Sequence, residues 1–150
     1  LNEELIEAAH LDGANWWDAF QLVPVTRGFW HQGVWFDVFP VRHHLPDTAF
    51  GLRLPGSLVW TGDTRPIPEM LARHADAGEL IAHDCALRGN PSHSGIEDLE
   101  REYPRELLSR CVFYHYAAGD AAAMRARSHR VADAGEVLAL SEPNGPRLPA

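Results

Sequence analysis

Short apolar runs of the length typical of β-strands recur along the chain between polar turns. Rich in β-branched and aromatic residues, they predict strands at residues 34–42, 49–54, 58–61, 80–82 and 111–116. The turn dipeptide Pro55-Gly56 predicts a hairpin between the second and third of these strands. Residues 13–35 are aromatic but interrupted by Gly and Pro, which favours strand fragments and turns. The first predicted strand of the five ends at a pair of histidines.

Helical spacing of apolar residues marks the segments around and between these strands. It predicts helices over residues 3–11, 66–75, 96–110 and 119–127, the third of them broken near Pro104, and a last hairpin from Val131 and residues 137–140. Because strands alternate with helices, we expect an α/β fold with a mixed sheet and with functional loops at strand ends. Residues 1–140 are predicted to form one domain, followed by a Pro-rich tail at residues 141–150.

The charge composition restricts the classes of partner. All 13 basic residues are Arg, and 21 acidic residues give a formal net charge of -8, which disfavours a broad nucleic-acid or anionic-membrane surface. No apolar run approaches the roughly 18–20 residues that span a bilayer, so no membrane association is expected. We predict a cytoplasmic protein in which Cys85 and Cys111 are reduced thiols. Because the chain starts at Leu1 and not at Met, we expect a segment of a longer product.

Titratable side chains follow several predicted strands at the point where each strand ends. They are His43 and His44, Asp63, His83 and Asp84, and His115. Imidazole and carboxylate groups are ligands of zinc, manganese and iron, and a carboxylate can bridge two ions roughly 3.5–4 Å apart. Most of the nine histidines can equally be surface or hydrogen-bonded residues. Spacing alone therefore leaves a metal site and an ordinary set of polar loops as alternatives.

Four segments of the chain together carry a family resemblance. In order and spacing, VFPVRHHLPDTAFGLRLPGSLVWTGDTRPIPEML, ELIAHDC, NPSHSG and CVFYHY resemble the C-terminal half of the metallo-β-lactamase superfamily, nearest to its ribonuclease Z-like branch. That branch has, in the same order, a His before an FG strand, a GDT turn, a HEAT segment, a HST segment and a final strand-end His. The resemblance covers residues 38–116 and implies half of an αβ/βα sandwich, with a mixed sheet flanked by helices.

The resemblance also implies the metal ligands. It makes Asp63 of TGDT the carboxylate that bridges two divalent ions, with His115 completing the shell of one ion and His43 that of the other. His44 is the alternative to His43, because successive strand residues point to opposite sides and this chain has extra residues before its FG strand. Zinc is the expected metal, with manganese or iron as alternatives.

The HDC and PSHSG segments resemble the HEAT and HST pair, whose carboxylate and His pass a proton to the leaving group. This implies a catalytic dyad of Asp84 and His93, with His83 beside them as an orienting residue. Asp84 stands where the family has Glu, so its shorter side chain is expected either to displace the dyad or to serve a different substrate. Arg65, next to Asp63, is a candidate for binding phosphate or carboxylate, or else a salt-bridged surface residue.

The implied activity is a metallo-hydrolase of small phosphodiesters, with a dinuclear site and a bridging hydroxide. The alternatives are a hydrolase of a lactone, thioester or other carboxylic ester, a non-hydrolytic diiron oxygen-binding or redox protein, and a binding module with a vestigial site. The family's HxHxDH motif, which supplies the other ligands, is absent from the chain. We therefore expect a partner half that carries such a motif, an inactive isolated chain, and self-association through an uncovered apolar sheet face.

Overall fold

A computed structural model describes residues 23–145, which contain six strands and four helices. The strands are β1 (Gly28–His31), β2 (Val34–Pro40), β3 (Phe50–Leu54), β4 (Leu58–Trp60), β5 (Leu80–Asp84) and β6 (Cys111–Tyr114). The helices are α1 (Pro68–His74), α2 (Ile96–Glu102), α3 (Arg105–Leu108) and α4 (Asp120–Ala126). The predicted helix over residues 3–11 lies outside the described residues.

All six strands form one mixed sheet in the order β1-β2-β3-β4-β5-β6. The first four strands are antiparallel neighbours joined by short turns or a loop, whereas β4, β5 and β6 run parallel. A parallel neighbour needs a crossover connection, and α1 supplies it between β4 and β5, while α2 and α3 supply it between β5 and β6. The parallel half of the sheet therefore presents three strand ends at one edge.

The β1–β2 hairpin forms because of two residues with left-handed backbone conformation. Gln32 and Gly33 have φ of 49° and 78°, which is the requirement of a tight two-residue hairpin turn. The turn sets the register that pairs Trp30 with Trp35. The aromatic segment that the sequence assigns to strand fragments thus contains a regular hairpin.

The core lies on the helix-covered face of the sheet. It is made of buried apolar side chains from both layers, chiefly Phe39, Val59, Ile67, Leu71, Ile81, Ile96, Leu99, Phe113 and Met124. Each such side chain stabilises the fold by about 1.5–3 kcal/mol through removal from water. Gly51 allows the close approach of Phe39, because a Cβ there would lie 2.5 Å from a ring carbon of that residue. A side chain at residue 51 would push the ring out of the core.

The opposite face of the sheet carries an apolar row. Residues paired across neighbouring strands share a face, and the strand pairing places in one row Val38, Leu52, Trp60, Ala82 and Val112. Trp60 is 42% exposed and nearby Phe50 is 49% exposed. This sheet face therefore holds large apolar side chains in contact with water.

The predicted last hairpin is wrong. Val131 makes only an isolated parallel bridge with Phe113, and residues 137–140 form no strand. The chain after Val131 turns at residues 133–136 and leaves the sheet, so Val137 is 92% exposed. Residues 141–145 of the predicted tail have no regular structure, although the Asn144 N–H donates to the Pro55 carbonyl oxygen at 2.6 Å. The rest of that tail lies outside the described residues.

Candidate metal centre

Four titratable residues meet at the carboxyl ends of the parallel strands. They are Asp63 after β4, Asp84 at the end of β5, His93 in the loop before α2, and His115 after β6. Each offers one ligand atom, and these atoms all lie within 4.8 Å of one another. Strand ends in open α/β sheets bring sequence-distant side chains together in this way. We call these four residues the Asp/His cluster.

Asp84 is the buried centre of the Asp/His cluster. Its Oδ2 accepts hydrogen bonds from the Thr64 N–H and from His93 Nδ1, each at 2.8 Å. Its Oδ1 is buried and accepts no hydrogen bond from any residue that the structure describes, although His115 Nδ1 lies 3.4 Å away. Burial raises the pKa of the Asp84 carboxyl, against the opposing effect of these neighbours. A buried oxygen without a donor is costly, so it fits a site that receives a cation.

Asp63 and His115 form the exposed side of the cluster. Asp63 Oδ1 lies 3.1 Å from His115 Nδ1, and their side chains are 44% and 48% exposed. His115 has φ of 66°, a left-handed conformation that is costly for a residue other than glycine. Such a conformation is kept where the surrounding structure demands it, and here it turns the His115 side chain toward Asp63 and Asp84. Both side chains are therefore partly accessible from solvent.

A network of backbone hydrogen bonds holds His93 in place. Asn90 Oδ1 accepts the N–H groups of Ser92 and His93 at 2.8 and 3.1 Å. The Ser94 N–H and Oγ both donate to the Thr64 carbonyl oxygen, at 2.9 and 2.8 Å. The loop after β5 is thereby tied to the turn after β4, so the distance between His93 and Asp84 does not depend on a single contact.

His43 and His44 lie beside the cluster but not among its four ligand atoms. His43 is half-buried, its ring centroid is 4.7 Å from that of His93, and its Nδ1 donates to the Ser92 carbonyl oxygen at 3.1 Å. His44 is exposed, and its Nδ1 and Ser92 Oγ are joined by a hydrogen bond of 2.9 Å. The structure thus places His43 against His93 with its Nε2 free of that backbone bond. The choice between them as a metal ligand stays a prediction.

His83 lies on the other face of β5, away from the cluster. Its Nδ1–H donates to the Asp84 carbonyl oxygen at 2.7 Å, and its Nε2 accepts from the Tyr103 hydroxyl at 2.7 Å. The Ile67 N–H donates to that hydroxyl oxygen, which leaves the hydroxyl hydrogen for His83. Complete burial lowers the pKa of His83 to about 4, so the ring is neutral. Its predicted orienting role would act through the Asp84 backbone.

The residues that hold the cluster together have weak signals in the sequence. Thr64, Asn90 and Ser94 all lie inside the TGDT and NPSHSG segments, but no pattern in those segments assigns them a role. The one feature that marks them in the sequence is a short polar side chain close to a titratable residue. Tyr103 had no local signal, because it is far along the chain from His83.

A polar cleft of about 490 Å³ opens beside His93. Its lining residues include three arginines, Arg42, Arg65 and Arg101, and two acidic residues, Asp98 and Glu102. The cluster can hold a metal ion, and the cleft next to it can hold an anionic group.

Within residues 23–145, none of the helices has the length and apolar character needed to cross a membrane.

The fold resembles that of a solved hydrolase. A crystal structure described as that of a new diphosphatase from the PhnP family matches with a TM-score of 0.58 and 16% sequence identity, covering 75% of this chain and 46% of that chain. The chain thus spans less than half the length of that structure. The likeness confirms the predicted metallo-β-lactamase-like α/β fold, with a mixed sheet flanked by helices. A comparison with curated proteins found no match.

One family model also matches the sequence. Its description is Anti-Pycsar protein Apyc1, and the match runs over residues 4–136, through all six strands and the whole Asp/His cluster. A match over most of the chain, together with the fold, shows that the chain belongs to the Anti-Pycsar protein Apyc1 family.

Proposed function

We propose that the protein is a metal-dependent phosphodiesterase with its active site at the Asp/His cluster. The observation that carries this proposal is the convergence of four ligand atoms within 4.8 Å around the buried Asp84, whose Oδ1 lacks a hydrogen bond. Chemistry at phosphorus is supported by the ordered motifs of the ribonuclease Z-like resemblance and by the three arginines that line the cleft. The structural likeness to a protein described as a diphosphatase agrees with it.

In this proposal Asp63 and His115 would hold the metal, and the Asp63 carboxylate would be the group that two ions share. Their ligand atoms are 3.1 Å apart and their side chains are partly accessible from solvent, which suits groups that meet an ion at the protein surface. His43 is the further ligand. Its Nδ1 is hydrogen-bonded to the Ser92 carbonyl oxygen, so Nε2 is the ring nitrogen that would bind the metal. A divalent ion, with zinc expected first and manganese or iron as alternatives, supplies Lewis acidity at the phosphoryl oxygens.

Asp84 and His93 transfer a proton to the leaving group. The bond from His93 Nδ1 to Asp84 Oδ2 fixes the ring, so His93 Nε2 is the atom that delivers a proton to the departing oxygen. The His93 side chain is 23% exposed and lines the cleft, so a bound substrate can reach it. Asp84 is fully buried and acts only through His93 and through its free Oδ1.

The remaining ligands have to come from outside the residues described above. We infer that they belong to a segment with an HxHxDH motif, which this chain lacks, and that the apolar row of Val38, Leu52 and Trp60 packs against that half. Self-association of the isolated chain through the same face, and its inactivity, follow from this inference. We also propose that the protein is cytoplasmic and that its substrate is small.

Metal content and hydrolysis together test the proposed function. Elemental analysis of the chain assembled with the half that carries the HxHxDH motif is followed by assays of that assembly, with added zinc or manganese. The substrates are bis(p-nitrophenyl) phosphate and the neutral ester p-nitrophenyl acetate. We expect metal-dependent cleavage of the diester, abolished by Asp63→Asn. Metal-dependent cleavage of the neutral ester alone favours the carboxylic-ester alternative. Iron with visible absorbance and no hydrolysis favours the diiron alternative, and no metal in the assembly with the other half contradicts the proposal.

A further inference from the structure

We propose that Arg65 binds the phosphoryl oxygens of the substrate and thereby selects anionic phosphodiesters over neutral esters. This inference rests on the proposed phosphodiesterase function and names the residue that determines its substrate class. Three observations carry it: a rigid backbone at Arg65, an unpaired guanidinium, and a cleft shared with His93.

The backbone around Arg65 is anchored on both sides. Its own N–H donates to the Arg42 carbonyl oxygen at 2.9 Å. The preceding residue, Thr64, donates its N–H to Asp84 and accepts the Arg42 N–H through Oγ1 at 3.0 Å. The carbonyl oxygen of the following Pro66 accepts from Arg42 Nη1 at 2.9 Å. The Arg65 side chain therefore leaves a fixed point of the chain, two positions after Asp63.

Arg65 is also the uncompensated cation of the cleft. Three arginines line the cleft, and Arg42 pairs with Glu69 at 3.0 Å while Arg101 pairs with Asp98 at 2.7 Å. Arg65 is exposed, and its side chain makes no hydrogen bond or ion pair with any residue between 23 and 145. Its charge is thus available to a ligand, whereas the other two charges are largely neutralised by neighbouring carboxylates.

The charge around the site explains why such a cation is needed. An anionic diester that reaches His93 in the cleft also approaches the carboxylates of Asp63 and Asp84, in a protein of net charge -8. A planar guanidinium binds two phosphoryl oxygens at once through parallel N–H donors. A neutral ester has no such pair of charged oxygens. Arg65 therefore offsets the repulsion between a bound phosphodiester and these carboxylates, whereas it contributes little to the binding of a neutral ester.

The test compares Arg65→Gln with Arg73→Gln, which removes the same charge from an exposed position on α1 that does not line the cleft. Steady-state kinetics of the metal-loaded assembly with the half that carries the HxHxDH motif use bis(p-nitrophenyl) phosphate and p-nitrophenyl acetate, and calorimetric titration of the same assembly uses inorganic phosphate. For Arg65→Gln we expect KM for the diester and Kd for phosphate to rise by about tenfold or more. The kcat for the diester and any cleavage of the neutral ester change little, and Arg73→Gln matches the wild type.

The outcomes separate this inference from the proposed function. Unchanged KM and phosphate affinity in Arg65→Gln, or an equal loss on both substrates or in both variants, overturn the role of Arg65 while diester hydrolysis by the wild type still stands. If the wild type cleaves no diester, the proposed function fails. In that case the phosphate titration decides: binding that Arg65→Gln loses and Arg73→Gln keeps supports an anion site at Arg65, and any other result overturns it.

Discussion

His93 Nδ1 lies 2.8 Å from Asp84 Oδ2, and the same oxygen accepts the Thr64 N–H at 2.8 Å. Two donors on Oδ2 fix the plane of this fully buried carboxylate. The other oxygen, Oδ1, then faces the cluster. Although Asp84 is shorter than the Glu of the family pattern, it reaches His93 because the turn after β4 and the loop after β5 are tied together by Ser94. One carboxylate can therefore orient an imidazole and still face a cation.

A general-acid role for His93 predicts that its loss depends on the leaving group. His93→Gln should lower kcat by about 10²–10⁴-fold for a diester with an alkoxide leaving group, because that oxygen departs only with a proton. The loss should be much smaller for bis(p-nitrophenyl) phosphate, whose phenolate departs unprotonated. Steady-state kinetics of the metal-loaded assembly with the half that carries the HxHxDH motif measure both losses, with His31→Gln at the exposed end of β1 as the control. Equal losses on both substrates would indicate a metal ligand instead.

Removing the Asp63 carboxylate charge should weaken metal binding without unfolding the protein. We expect Asp63→Asn to raise the Kd for zinc by at least about tenfold, since even residues that only support a ligand have effects of that size. Asp63 is 44% exposed, so the thermal unfolding of the metal-free protein should change little. Competition with a chromophoric chelator gives the affinity. Glu106→Gln, an exposed acidic residue on α3, controls for the change in net charge and should retain wild-type affinity.

The elements with strong local signals could be predicted from the sequence. The β-rich run became β2 (Val34–Pro40), and Pro104 divides α2 from α3 as expected. These signals act over a few neighbouring residues, so they do not depend on the rest of the fold. Residues 137–140 have an equally apolar composition but form no strand. Whether a short apolar segment pairs depends on which sheet edge it meets, and that edge is decided by tertiary structure.

The sequence also indicated which titratable residues would gather, but not how they are supported. Strand ends and the order of the motifs pointed to seven residues, of which the structure brings four together, namely Asp63, Asp84, His93 and His115. The other three predicted residues, His43, His44 and His83, lie outside this group of four. The Thr64–Asp84 bond joins residues 20 positions apart on different elements, for which no periodicity exists. Opposite orientation of successive strand residues applies to His83 and Asp84 as well. It explains why His83 faces Tyr103 and not the cluster.

A buried ion-pair network of the same non-local kind predicts a large stability effect. Arg53 is 2% exposed and binds the fully buried Glu79 through Nε and Nη2, and also contacts Asp37 and Asp76. Arg53→Met leaves the Glu79 carboxylate buried without its cation, which should lower the free energy of unfolding by about 3–5 kcal/mol. Urea denaturation measures this change.

Two further variants distinguish a buried charge from a simple packing defect. Adding Glu79→Met to Arg53→Met should restore part of the lost stability, because neither charge then remains buried. Arg125→Met breaks the exposed pair with Asp133 and should cost no more than about 1 kcal/mol. A double variant as unstable as the sum of its single variants would show that packing, not the unpaired charge, causes the loss.

The buried His83 predicts how stability depends on pH. Burial lowers its folded-state pKa from 6.5 to about 4, so the folded protein binds this proton more weakly than the unfolded chain. Stability from this group is therefore complete above pH 6.5 and declines as pH falls toward 4, by roughly 3 kcal/mol in total. Urea denaturation of the metal-free protein at a series of pH values measures the decline.

Variants at two histidines assign that decline to His83. His83→Gln should be less stable at neutral pH, because the Tyr103 hydroxyl and the Asp84 carbonyl lose their partner, but its stability should fall less steeply between pH 6.5 and 4. His31→Gln removes an exposed histidine and should keep the wild-type slope. The sign follows from linkage: a group that protonates only in the unfolded chain destabilises the fold as pH falls. If His83→Gln keeps the full slope, other groups cause the acid sensitivity and the ring of His83 is not held neutral.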